Sequence, residues 1–343
     1  MENRTEINQL GEFGLIEHLT RDNDINRAET ILSIGDDAAV IDHFGQQTVV
    51  STDLLIERVH FDLSYFPLKH LGYKSVVVNL SDIYAMNAEP TQITLSLAFS
   101  NRFSIEALDE FYEGVYAACE KYNVDLVGGD TTSSQKGLLI SVTAIGKIPE
   151  MKYVSRRGAG SNDLICVSGD LGAAYLGLQL LEREKRIFVE SPGVQPDLGN
   201  RKHTIGRFLK PEPRADVIKW LAENNITPTS MIDLSDGLSS ELLHLHKGSN
   251  KGLVVYEEKI PIHVETAELA EEFNINPLVS ALNGGEDYEL LFSVSQSDFE
   301  KIKNCALVSV IGHFTEEGGT AEVVTTANNK YALKAQGWNA FQK

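Results

Sequence analysis

Cysteine is scarce: the chain has three in 343 residues, Cys119, Cys166 and Cys305. They are far apart, odd in number and never spaced as C-x-x-C, which argues against a disulfide framework or a thiolate zinc site. Long apolar runs are lacking too. Nothing approaches the ~20 residues of a membrane span, and Met1-Glu2-Asn3-Arg4 opens no basic-then-apolar leader, so the expectation is a cytoplasmic protein with no membrane role. Basic residues are few, with 30 Lys and Arg against 49 Asp and Glu, a formal net charge of -19. That balance repels nucleic-acid backbones and anionic membranes. Several phosphate-handling signatures are missing: there is no G-x-x-x-x-G-K-[ST], no G-x-G-x-x-G after a strand, and no protein-kinase H-R-D loop. A serine nucleophile elbow, an H-E-x-x-H helix and the EF-hand spacing are absent as well.

What is present is an ordinary globular composition, 42% hydrophobic, in a chain longer than one hydrophobic core usually serves. Two domains are expected, at 1–148 and 149–343, with the basic, Pro- and Gly-bearing stretch Lys147 to Ala159 as their connection. Strands are expected at Thr48–Leu55, Ile93–Phe99, Val124–Val127 and Leu138–Ile145, and later at Leu164–Val167, Leu253–Tyr256, Tyr288–Val294 and Val308–Gly312. Helical spacing marks Ile7–Leu19, His70–Met86, Ile105–Tyr122, Gly172–Glu184, Pro213–Asn224 and Leu238–His246, with Asn87 as a left-handed cap and Ser191–Lys210 as a loop. Strands and helices mix without strict alternation, which favours an α+β class.

Acidic residues recur in one format, beside Gly, Ser or Thr at the end of an apolar run. The instances are Gly35-Asp36-Asp37, Ser51-Thr52-Asp53, Gly128-Gly129-Asp130, Asp233-Leu234-Ser235-Asp236-Gly237 and Gly284-Gly285-Glu286-Asp287. Glycine lets backbone approach a ligand closely, and carboxylates beside it can reach a hard cation. Each cluster read alone is also ordinary turn chemistry; five of them together point to a shared cation and polyanion site. Asp82 adds a carboxylate inside an apolar helix, where it needs a partner.

Taken in order along the chain, these clusters, with His60-Phe61, Asn79-Leu80-Ser81-Asp82 and Glu286-Asp287-Tyr288-Glu289-Leu290, resemble the thiamine-monophosphate kinase family of the aminoimidazole ribonucleotide synthetase-like superfamily. The resemblance implies ATP as co-substrate, thiamine monophosphate as acceptor and several Mg²⁺ ions. It implies an N-terminal domain that builds a β-barrel with a second subunit in a homodimer, and an α/β C-terminal domain of the same superfamily type. Carried over residue by residue, it makes Asp37, Ser51, Thr52, Asp53, Asp82, Asp130, Asp233 and Asp236 metal ligands, with Asp53, Asp130 and Asp236 the catalytic carboxylates. Tyr112, Gly129, Asp130, Arg156 and Ser235 would face the nucleotide, and His60, Glu286 and Trp338 the thiamine phosphate. The chain ends Gly337-Trp338-Asn339-Ala340-Phe341 where the family has Gly-Trp-Asp-His-Phe.

The implied chemistry suits these residue types. A phosphate monoester has its second pKa near ~6, so the acceptor oxygen is already anionic at neutral pH and the difficulty is bringing two polyanions together. Arg156 can offer a planar fork to phosphate oxygens, and Trp338 an aromatic face to the thiazolium cation; outside the resemblance, Arg156 reads equally as a solvated linker residue, and Trp338 and His60 as packing residues. Two alternatives stand beside the kinase: another ATP-dependent member of the superfamily, and a non-enzymatic cation-binding module.

Overall fold

The computed structural model describes residues 18–32, 40–149 and 152–336. Two compact units emerge, one of Met1–Tyr84 with Ala88–Tyr153 and one of Ala85–Asn87 with Val154–Lys343.

The first unit is built on a four-stranded sheet. A short antiparallel pair, β1 (Thr30–Leu32) and β2 (Val40–Ile41), precedes β3 (Gln47–Ile56), α1 (Leu68–Ala85), β4 (Glu89–Phe99), α2 (Ile105–Tyr122), β5 (Asp125–Ser133) and β6 (Leu139–Ile148). The sheet order is β3-β6-β4-β5, antiparallel apart from the parallel β4–β5 pair. Alternate residues of β6 are buried, the period-2 signature of a sheet covered on one face. Helix α1 lies on that face: a Cβ on Gly146 of β6 would meet Ile83 of α1 at 2.5 Å. The opposite face is open, with Val50 61% and Leu54 51% exposed. Helix α2 runs from the Ser104 cap, whose hydroxyl accepts the Ala107 N–H, to the left-handed Asn123. It packs closely on α1 because Gly72 and Gly114 carry no side chains; a Cβ at either would reach 1.9 Å from a carbonyl oxygen of the other helix. The described strands form an open sheet and close no barrel among themselves.

The second unit continues with β7 (Leu164–Ser168), α3 (Ala173–Glu190), α4 (Lys202–Leu209), α5 (Ala215–Glu223), β8 (Ser230–Asp233), α6 (Leu238–Ser249) and β9 (Lys251–Tyr256). After these come α7 (Val264–Glu272), α8 (Pro277–Asn283), β10 (Leu290–Val294), α9 (Phe299–Ile302), β11 (Val308–Glu317), β12 (Ala321–Val324) and β13 (Lys330–Ala332). Its seven-stranded sheet runs β13-β12-β9-β11-β7-β10-β8, with β12–β9 the parallel pair. Both faces are covered. Ile165 and Val167 of β7 join a core with Leu242 and Leu245 of α6, while Cys166 between them joins Val217 and Leu221 of α5. A strand buried on both sides reads as a nearly continuous apolar run. Leu290–Val294 is buried throughout, and its one polar residue, Ser293, is matched by the Thr229 and Ser230 hydroxyls at 2.6 and 2.7 Å.

The structure corrects several expectations. Ser191–Lys210 is not all loop, since Lys202–Leu209 is helical; Gly177 of α3 lets the Thr204 backbone approach so closely that a Cβ would sit 2.2 Å from its oxygen, and Phe208 is buried. The strand expected at Val124–Val127 runs on to Ser133. Helices α7 and α8 and strands β12 and β13 had no counterpart in the sequence reading. Helix α2 falls where the periodicity placed it, Asn87 is left-handed at φ 60°, and the opening helix lies outside the described residues except for its end. Among the described residues no helix is long and apolar enough to cross a membrane.

Candidate active site

Strand β3 carries Ser51, Thr52 and Asp53 in mid-strand, not at a strand end. Helix α1 lies alongside and ties into them. The Ser51 hydroxyl donates to Asp82 Oδ2 at 2.5 Å, which supplies a partner for the carboxylate in the apolar helix. Asn79, buried in the same helix, accepts the Asp53 backbone N–H at 2.9 Å and donates to the Ser75 carbonyl at 3.0 Å. Alternation along β3 turns Thr52 to the other face, where its hydroxyl donates to the Val142 carbonyl at 3.0 Å. The structure therefore gathers Ser51, Asp53 and Asp82 but keeps the Thr52 hydroxyl apart from them.

Asp130 lies in mid-strand on β5, exposed, opposite Ser96. The register runs on through Ser141 to Leu54, so Asp130 shares the open face with Leu54 while Asp53 does not. Strands β3 and β5 are the two edges of the sheet, about 14 Å apart at ~4.8 Å per strand; Asp53 and Asp130 do not converge within one chain. Gly129 has a packing reason of its own, because a Cβ there would stand 1.9 Å from the Leu95 carbonyl oxygen. Tyr112 is 7% exposed, its ring 5.9 Å from both Phe111 and Tyr116, and burial pushes its phenol up to about 12. His60 is half-buried, and its Nδ1 accepts the Ile56 N–H at 3.0 Å, which leaves the hydrogen of the neutral ring on Nε2.

In the second unit, β8 ends on Asp233, 5% exposed, and the turn Leu234–Gly237 leads into α6. Gly237 at φ 119° takes a conformation that side chains resist. This turn is laced by backbone hydrogen bonds to the segment before β10: Leu234 N–H to the Glu289 carbonyl at 2.8 Å, Tyr288 to Leu234 at 2.9 Å and Glu286 to Ser235 at 2.7 Å. A Cβ on Gly285 would come within 2.4 Å of the Ser235 oxygen. Glu286 and Tyr288 are held left-handed, at φ 63° and 51°, the kind of backbone strain that concentrates at functional sites. Ser235 is exposed and Glu286 half-buried, so the two are brought together. Burial holds the Asp236 carboxyl above its ordinary value; Glu286 adds to this, while His244 and Arg156 oppose it. Arg156 itself is exposed.

Several supporting residues carried no assigned role in the sequence reading. Glu289 is buried between Arg207 and Arg214, each 2.6 Å away, and accepts the Ser168 hydroxyl. Asp287 accepts the Gly172 N–H at 2.8 Å at the start of α3, and burial pushes its carboxyl up to about 7 against Arg207. Glu241 accepts the Asp236 N–H at 3.0 Å. An acid directly before an apolar run is the signal that Glu241 and Glu289 give, ahead of Leu242-Leu243 and Leu290-Leu291-Phe292, whereas Asp287, among Gly285, Glu286, Tyr288 and Glu289, gives none. Asp37 and Trp338 lie outside the described residues.

Among the described residues no three His, Cys, Asp or Glu side chains enclose an ion. The donor set nonetheless fits Mg²⁺, a hard cation that takes one or two carboxylates and keeps water and phosphate as its other ligands. Asp53 and Asp82 flank the Asn79 and Ser51 links, Asp233 and Asp236 flank one turn, and Glu241 Oε2 beside them is buried with no hydrogen-bond partner among the described residues.

The kinase from Bacillus subtilis (strain 168) known as thiamine-monophosphate kinase is 32% identical over 97% of this chain and 100% of its own length. The chain belongs to the thiamine-monophosphate kinase family. Residues 35–148 of this family member match the model for AIR synthase related protein, N-terminal domain. The crystal structure of the kinase from Stenotrophomonas maltophilia K279a superposes with a TM-score of 0.77 at 30% identity, covering 92% of this chain and 96% of that one. AaThiL complexed with AMPPCP and TMP gives 0.74 at 31% identity, covering 98% and 99%. The mixed α+β fold is thus that of a kinase family of enzymes.

Proposed function

We propose that the enzyme transfers the γ-phosphoryl group of ATP to thiamine monophosphate, giving thiamine diphosphate and ADP, the last step of thiamine diphosphate formation. The observation that carries this reading is likeness along nearly the whole chain to a kinase solved with an ATP analogue and TMP, which we take as thiamine monophosphate. An oxygen of the acceptor phosphate attacks Pγ in line, the Pγ–O bond to the β-phosphate breaks, and ADP leaves carrying that oxygen. The acceptor is mostly ionised at pH 7, so no strong base is needed. Magnesium, when bound, supplies the positive charge that lets two polyanions approach.

In this reading Asp37, Ser51, Thr52, Asp53, Asp82, Asp130, Asp233 and Asp236 hold the metal ions, and Asp53, Asp130 and Asp236 are the catalytic carboxylates. Asp53 and Asp130, apart within one chain, would act together only across the two subunits of a dimer. Thr52, its hydroxyl turned away, would serve through its backbone carbonyl. Tyr112, Gly129, Asp130, Arg156 and Ser235 face ATP, with Arg156 offering its fork to phosphate oxygens. His60 can donate from Nε2, Glu286 can accept from the aminopyrimidine, and Trp338 faces the thiazolium. Residues 1–148 would bind ATP and metal and dimerise, and residues 149–343 would complete both substrate sites. The open sheet face bearing Val50 and Leu54 would be covered by a second copy, closing a barrel in a cytoplasmic homodimer.

The test offers ATP and Mg²⁺ with thiamine monophosphate, thiamine or formylglycinamidine ribonucleotide separately. Thiamine diphosphate and ADP are expected with the first alone; turnover of free thiamine, or ADP formed only with the ribonucleotide, overturns the reading. Asp53→Asn and Asp130→Asn should each lose orders of magnitude in kcat with unchanged circular dichroism, and near-normal rates in both would remove the metal assignment.

A further inference from the structure

Glu241 is an acid in the first turns of α6, 2% exposed. Its Oε1 accepts the Asp236 N–H at 3.0 Å, while Oε2 is buried without any hydrogen-bond partner among the described residues. Leaving a carboxylate oxygen buried and unmatched is unfavourable, and a plain helix cap would not need it: Ser, Thr, Asn or Asp at the cap position serves that purpose. Asp233 at 5% exposure and Asp236 are the neighbouring carboxylates, close enough for both to act on the Glu241 carboxyl. An unmatched acceptor beside two candidate ligands of a hard cation has an evident donor, since Mg²⁺ retains bound water and groups behind the ligands orient both ligand and water.

Resting on the reading that Asp233 and Asp236 hold a divalent cation, we propose that Glu241 is a positioning residue of that site. Oε1 fixes the Asp236 backbone, and Oε2 takes a hydrogen bond from a water on the cation. Glu241 touches neither reactant.

The test measures Mn²⁺ affinity by electron paramagnetic resonance, with the full chain and AMPPCP present, for the wild type, Glu241→Gln, Glu241→Leu and Asp236→Asn. Leu removes both acceptor oxygens, and Gln keeps one while replacing the other by a donor. Affinity should fall about 10-fold or more in Glu241→Leu and by a smaller factor in Glu241→Gln. Because Leu also strands the Asp236 amide, its Tm should fall as well, and Mn²⁺ affinity is the deciding readout. A merely structural Glu241 leaves Mn²⁺ affinity within twofold of wild type in both variants whatever the change in Tm, and overturns the proposal. Glu241→Gln, nearly isosteric, decides the matter should the Leu variant not fold. If Asp236→Asn binds Mn²⁺ as the wild type does, the underlying metal assignment fails; if it binds weakly while both Glu241 variants bind normally, the present inference alone fails.

Discussion

Adjacent glycines on β5 should respond to the same substitution in opposite ways. Neither Gly128 nor Gly129 is left-handed, so the difference between them is one of space. A Cβ at Gly128 meets only the Thr94 methyl at 3.8 Å, an ordinary contact. A Cβ at Gly129 meets the Leu95 carbonyl oxygen at 1.9 Å and its carbon at 2.8 Å, both backbone atoms of the neighbouring strand. Restoring contact distance requires β5 to move by about 1.5 Å from β4, enough to break N–H···O bonds of ~2.9 Å. With two such bonds lost at roughly 1 kcal/mol each and local packing disturbed, Gly129→Ala should cost about 2–4 kcal/mol. At roughly 2–4 °C per kcal/mol that is a Tm lower by about 5–15 °C. Gly128→Ala should gain up to about 1 kcal/mol, since glycine within a strand is entropically costly. Differential scanning calorimetry of the two variants at equal concentration reads this directly. Equal Tm values, or a larger loss at Gly128, would refute the close-approach argument.

Glu286→Gly should separate stability from function: a left-handed side chain costs about 1 kcal/mol, so Tm should rise by about 2–4 °C while KM for thiamine monophosphate increases at least tenfold, and a lower Tm would count against the strain. Burial raises the Asp287 carboxyl to about 7 from an ordinary ~3.9, so the fold favours its protonated form. Its contribution is intact below pH 4 and is lost as pH rises through 7; Asp287→Asn should flatten the decline in Tm between pH 5 and 8, and an unchanged slope would show the group is already ionised. Burial pushes the Cys119 thiol up to about 12 and Cys166 higher still, whereas Cys305 is half-buried. Ellman's reagent should therefore find one fast thiol in the native protein and three in denaturant, and two or more fast native thiols would contradict the packing.

The sequence was most legible where local rules and packing agree. Ile105–Tyr122 has its Ser104 cap, its apolar period and a left-handed Asn123, and each alone marks a boundary. It was least legible where a distant neighbour decides. Gly128-Gly129-Asp130 reads as a turn, yet pairing with β4 carries the strand through it, and nothing local announces the Leu95 carbonyl. Lys202–Leu209 is a helix because α3 receives it, not because Gly206 favours one. At the candidate site, Asp82 within an apolar helix signals a carboxylate in need of a partner, but that the partner is Ser51 follows from α1 crossing β3. The opposition of Asp53 and Asp130 at the two sheet edges is likewise a matter of strand order, which the residues themselves do not encode locally.

The lacing of Leu234–Ser235 to Gly285–Glu289 bears on how such an enzyme could be altered. Because three amide–carbonyl links and a glycine contact lock these stretches in register, the segment expected to recognise the acceptor is no free-standing cassette. Exchanging it for the corresponding piece of a relative with different appetite would drag Ser235 and Asp236 along, or leave amides stranded. Redesign of specificity here has to transplant both strips of backbone as a single part.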